Sequence, residues 1–164
     1  MKFDSLLSDL IGTVLGGAAL TLLLFLAKEK LFPLPKVSGR WFFETRTVTS
    51  AYKPFVGMSL QYVAILWQEG HVIRGSCEKI YEDSSTGKRE YVGENRARGG
   101  LEGFIEKFYL GKDRIRIHLV ESGSRESSVF FDLTNPEHSS IVGVFCAMAA
   151  DQEGTVKWQR VPFR

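Results

Sequence analysis

The chain is poor in the residues and spacings that most enzymes and metal proteins need. Its two cysteines, Cys77 and Cys146, stand far apart with no C-x-x-C spacing, so neither a zinc ribbon nor a thioredoxin-like redox site is indicated. The three histidines, His71, His118 and His138, are dispersed, and H-E-x-x-H, G-x-S-x-G and a glycine-rich phosphate loop are all missing. The expectation is a protein that is not an enzyme, with no metal and no cofactor. Charge of one sign is also lacking: 21 basic residues face 19 acidic ones, a net of +2. A protein that coats nucleic acid needs a basic stripe to displace counterions, so DNA is not an expected partner. A pocket for one small anionic ligand remains compatible with this balance. Past Gly39, no segment of helical period reaches three turns.

What is present falls into two unlike parts. Leu10 to Ala27 is 18 residues without a charge, and at about 1.5 Å per residue it spans about 27 Å, close to the hydrocarbon thickness of a bilayer. Asp4 and Asp9 precede it and no small-x-small cleavage site ends it, which reads as an uncleaved anchor and not a secretory signal. Lys28, Lys30, Lys36, Arg40 and Arg46 follow the span while Lys2 alone precedes it, so the expected location is the inner cell membrane, crossed once, with the larger part cytoplasmic. Reduced, buried thiols at Cys77 and Cys146 follow from that compartment. Gly12 and Gly16 form a G-x-x-x-G that Gly17 extends, a small surface on which two helix backbones can approach in lipid. The expected divisions are a tail at 1–9, a transmembrane helix at 10–28, a linker at 29–38 and a β-domain at 39–164.

Within the β-domain, nine strand-like runs are expected: Arg40–Thr49, Ser59–Glu69, Val72–Tyr81, Lys88–Gly93, Gly100–Leu110, Arg114–Glu121, Ser127–Leu133, Ser140–Met148 and Thr155–Pro162. Turn residues such as Gly70, Gly111-Lys112-Asp113 and Asn135-Pro136 separate them. Ile115, Ile117 and Leu119 alternate with Arg114, Arg116 and His118, which gives each strand one apolar and one wet face. Glycines inside strands, at Gly75, Gly93, Gly103 and Gly143, suit sharp bends. A flat sheet of this size would leave two open edges, so the fold expected is all-β, an eight- or nine-stranded up-and-down barrel behind one N-terminal transmembrane helix, with a stretched β-sandwich as the alternative that needs the same residues.

Gly39-Arg40-Trp41 opening the first strand, with Trp158-Gln159-Arg160 on the last, resembles the lipocalin-type pattern, in which an arginine near the chain end covers a G-x-W tryptophan at the barrel base. The resemblance implies that Gly39, Trp41 and Arg160 close the barrel. Behind a membrane helix, the arrangement is also similar to the membrane-anchored β-barrel effectors of cyclic-oligonucleotide antiphage (CBASS) systems. That likeness implies a cyclic di- or oligonucleotide ligand, homo-oligomerisation through helix and barrel, and disruption of the lipid bilayer. Those effectors typically carry two transmembrane helices, and residues 1–33 have room for one. Bases stack on aromatic or guanidinium planes and phosphates take arginine forks. Arg46, Tyr52, Trp67, Tyr81, Tyr91, Arg98 and Tyr109 are the ligand-binding candidates on those grounds. The alternative is a membrane-tethered lipocalin-like module for an apolar ligand or a protein partner.

Overall fold

The computed structural model describes residues 2–109, 111–122, 127–134 and 139–163. Leu110, the Asn135-Pro136 turn signal and His138 lie outside them. The chain forms two compact units, residues 1–33 and 34–164.

The first unit is one helix, α1 (Lys2–Leu31). Ser8–Leu26 is long and apolar enough to cross a bilayer. Lys28 and Lys30 in its last turn complement the negative end of the helix dipole. Residues 2–9, expected as a tail, continue the helix, and so do residues 29–31, expected as linker. Nothing in Asp4 to Asp9 breaks a helix, and the first proline after the span is Pro33, so the stop comes later than the charges suggest.

The second unit is a closed antiparallel barrel. Its strands are β1 (Gly39–Thr49), β2 (Ser59–Glu69), β3 (Val72–Ser84), β4 (Gly87–Glu90), β5 (Arg98–Glu106), β6 (Arg114–Ser122), β7 (Ser127–Thr134), β8 (Ser140–Ala147) and β9 (Gln152–Gln159). Eight of them form the ring, each paired with its neighbour in the chain, and β1 meets β9 to close it; β4 is an extra strand hung on the end of β3. Gly93, expected inside a strand, sits in a 3-10 turn with φ +61°. The other three interior glycines do stand in strands. A Cβ at Gly103 or Gly143 would fall against the carbonyl oxygen of Arg116 or Asp132 on the next strand, so only glycine permits the close, bent approach there.

Alternation sorts the side chains as the period of a strand requires. Ile115, Ile117 and Leu119 are buried inside; Arg114 and Arg116 are outside. Aromatic rings fill the lumen: Phe43 is stacked between Trp158, at 4.2 Å between centroids, and Tyr62, at 4.6 Å, while Phe131 meets Phe43 and Trp158 edge-on. Trp41 and Trp158 are fully buried, whereas Trp67 is exposed. Buried aromatic pairs of this kind add about 0.5–1.5 kcal/mol beyond their area.

The base of the barrel holds the expected closure. The Arg160 guanidinium carbon lies 3.8 Å from the centre of the Trp41 ring, and Nη1 donates to the Arg40 carbonyl at 3.0 Å. Gly39 has φ +108°, and a Cβ there would stand 3.1 Å from Arg160 Nη1, which accounts for glycine two residues before the tryptophan. Trp41 Nε1 donates to the Val37 carbonyl at 2.7 Å, and the Val37 amide donates to Gln68 Oε1 at 3.0 Å, which ties the entry segment to β2.

Candidate functional site

The lumen offers little space. Near the end opposite Trp41, a cavity of 50 Å³ lies among Thr45, Tyr62, Glu121, Phe131 and Gln152. Liquid water occupies about 30 Å³ per molecule, whereas small-molecule sites run to about 300–1,000 Å³. The stacked rings that stabilise the barrel fill the volume that a lipocalin leaves for its ligand. Tyr62 belongs to that core.

A charged cluster closes this end. Lys79 Nζ bridges Glu121 at 3.4 Å and Glu82 at 3.9 Å, all three side chains being largely buried. Tyr91 donates to Glu82 Oε2 at 2.8 Å, and the Lys79 ammonium lies 5.2 Å from the Tyr91 ring centre. Burial, then the Glu121 charge, holds the Tyr62 hydroxyl well above the usual phenol range. Burial, helped by Glu121 and Glu78, pushes the Cys77 thiol up to about 12. A bulge sets the cluster: Gln61 pairs with Tyr81 and Tyr62 with Lys79, so Ile80 has no opposite number. The extra residue directs Lys79 and Glu82 to the barrel end and Tyr81 to the outer wall.

That outer wall carries a groove of 1060 Å³ over β1, β2 and β3, flanked by Glu90 at the end of β4, by Tyr91 and Val92 after it, and by Phe163. Arg46, Tyr81 and Tyr91 of the expected ligand set line it, together with Arg40, Phe42 and Arg96. Much of its charge is already matched. Glu78 accepts from Arg96 at 3.0 Å and pairs with Arg98 at 3.4 Å; Glu44 accepts from Ser59 at 2.9 Å and Gln61 at 3.0 Å; Lys88 pairs with Asp83 at 3.6 Å. Among the described residues, the side chains of Arg40 and Arg46 have no partner, and both are exposed.

The remaining candidates lie elsewhere. Arg98 pairs with Glu78, which lines the groove, without lining it itself. Tyr52 packs edge-on against Phe55, 5.0 Å away, in the loop after β1. Trp67 is on the outer face of β2, opposite Arg74, and Tyr109 follows β5 in a loop. Phe42 and Arg40 were reachable from the sequence by strand parity, since they alternate with the inward Trp41 and Phe43.

A second concavity, of 1030 Å³, lies on the opposite run of the wall, where Phe104, Phe130 and Val144 are exposed on β5, β7 and β8. Cys146 is on this outer side and exposed, not buried as expected, while Cys77 is buried; both thiols are free. Position 146 has outward parity on β8, between the inward Phe145 and Ala147. Among the described residues no group of three or more potential ligands is placed to hold a metal ion.

Comparison with protein-family models, with curated proteins and with solved structures gives no match for this chain.

Proposed function

We propose that the chain is a membrane-anchored sensor and effector in antiphage defence, whose β-barrel takes a cyclic di- or oligonucleotide in the outer groove and whose helix assembles with copies of itself to disrupt the membrane. The observation that carries the ligand site is the groove itself: Tyr81, Tyr91 and Phe42 supply ring faces for bases, and Arg40 and Arg46 supply two uncommitted guanidinium forks for phosphates. The rings packed in the lumen favour the outer wall for recognition. The anchor rests on the apolar stretch Ser8–Leu26, the cytoplasmic orientation on the basic residues after it, and self-association on Gly12, Gly16 and Gly17. A tethered module for an apolar ligand or protein partner is the second reading, favoured by the exposed Phe104, Phe130 and Val144.

Titration of residues 34–164 with cyclic dinucleotides and with fatty acids separates the two. Cyclic dinucleotide binding that Arg46→Ala and Tyr81→Ala each weaken about tenfold, and that Trp67→Ala leaves unchanged, is the expected result, since one lost phosphate fork or base stack is worth about 1–3 kcal/mol. Binding of fatty acid alone would replace the sensor with the tethered module.

A further inference from the structure

The second concavity, lined from the start of β3 through β5 to β9 and the end of β1, is shaped by glycine. A Cβ at Gly103 or Gly154 would fall against the backbone of the neighbouring strand, so the wall is pinched there, and both residues line the depression from outside. Its floor is apolar: Phe104, Phe130 and Val144 are 45%, 47% and 58% exposed. Three features separate it from an ordinary wet strand face.

First, two polar atoms in it are shut away from water and unpaired. His118 Nε2 and Asp132 Oδ1 have no hydrogen-bond partner among the described residues. The His118 imidazole is held flat on Phe130, 4.3 Å away with 6° between the planes. Asp132 stands opposite Arg116 on β6, yet Arg116 pairs with Glu106 at 3.4 Å instead. A buried acceptor without a donor is a standing cost, and a turn of the Asp132 carboxylate brings that oxygen to an occupant carrying N–H groups.

Second, the uncommitted charge around the apolar floor has one sign in excess. Asp132, Glu102 and Glu153 make no ion pair among the described residues; Arg74, the one cation of the lining without an ion pair there, stands opposite Glu102 across β3 and β5, which leaves Asp132 and Glu153 in excess. Third, the volume of 1030 Å³ is of the size of a small-molecule site, and such sites are largely apolar with a few placed polar groups.

We infer that this depression is a second binding site, distinct from the groove over β1 to β3, for a small organic cation with a flat apolar body: the body lies on Phe104 and Phe130, and the ammonium donates to Asp132. The negative ring faces add cation–π attraction to the carboxylate's charge. An anionic amphiphile of the same shape would meet Glu102, Glu153 and Asp132 with like charge, which makes discrimination by sign the signature of the site.

The test uses the full chain in phosphatidylcholine nanodiscs, with empty nanodiscs as blank, and three probes that share one phenyl body: 2-phenylethylammonium, 2-phenylethanol and 3-phenylpropionate. Binding is read by saturation-transfer NMR titration. The ammonium is expected to bind at least about tenfold more tightly than the carboxylate, a modest part of the Coulomb energy of a close pair at a partly screened site. Asp132→Asn should remove most of that preference without lowering the melting temperature, and Phe130→Ala should weaken all three probes. If Asp132→Asn does not fold, Glu102→Gln, an exposed change, should reduce the preference in the same direction. Equal or tighter binding of the carboxylate, no probe binding above the blank, or coverage of the face only by a second copy of the chain would each overturn the inference.

Discussion

Arg160 and Trp41 allow the barrel's closure to be measured as one number. Replacing Trp41 with alanine empties the largest fully buried side chain at the base and should cost about 3–5 kcal/mol. Arg160→Ala removes a guanidinium 3.8 Å from that ring and one charge-assisted hydrogen bond to the Arg40 carbonyl, together about 2 kcal/mol at a half-buried position. In the double mutant the cation–π part has already been lost with the ring, so the two losses should fall short of their sum by about 1 kcal/mol. Gly39→Ala supplies an independent check: its φ of +108° and the 3.1 Å approach to Nη1 make alanine unfavourable by more than about 1 kcal/mol. Urea unfolding of residues 34–164, followed by far-ultraviolet circular dichroism, gives each free energy with a common slope. Additivity within about 0.3 kcal/mol would refute the contact, because residues that touch do not act independently.

Two more outcomes follow from the thiols and the helix. At pH 8 iodoacetamide should modify the exposed Cys146 and spare Cys77, whose folded value of about 12 keeps it protonated. Because that value is raised above the ordinary 9.0, the folded chain retains a proton that the unfolded chain releases; the stability is intact below pH 9.0 and is lost as the pH climbs toward 12, and Cys77→Ala should make the decline shallower. A Cys77 that reacts as fast as Cys146 would contradict its burial. In the helix, a Cβ at Gly12 or Gly16 meets no atom within 4 Å, so changing both to leucine leaves the single chain undisturbed. On the proposed function it should abolish the ligand-dependent membrane leakage with barrel stability and ligand affinity unchanged, and leakage equal to the parent's would discard this packing surface.

Strand existence and closure were legible because alternation is a strong signal: Trp41, Phe43, Ile115, Ile117, Leu133 and Val156 carry the inward parity in the sequence and are all buried. Strand ends were less legible around residues 80–93. There the bulge at Ile80 breaks the parity, β3 runs on to Ser84 through its hairpin, and Gly93 turns the chain instead of bending a strand. The candidate site was half legible. Choosing aromatics and arginines by type gave Arg46, Tyr81 and Tyr91 but also Tyr52, Trp67 and Tyr109, which share the chemistry and not the place. Inward or outward parity is a local property; which outward faces come together depends on register across three strands, and that is set by β2 and its bulged partner. The apolar depression was hidden for the same reason, since its members come from seven strands, β1 included, and are joined only by the barrel's curvature.

The meander gives the barrel an order of events. Every ring contact but one joins strands that follow each other in the chain, with β4 a side branch in the β3–β5 connection, so a growing sheet can add strands one at a time by short loops. The exception, β1 against β9, spans the ring from Phe42 to Gln159 and must wait for the last strand. Until then the sheet has two exposed edges, with Trp41 lacking the arginine that covers it. Local pairing is quick and distant pairing slow, so closure should set the folding rate. If Ser8–Leu26 holds the chain in a bilayer, these open edges stand meanwhile beside others on the same membrane, where strand exchange between neighbours competes with the ring closing on itself.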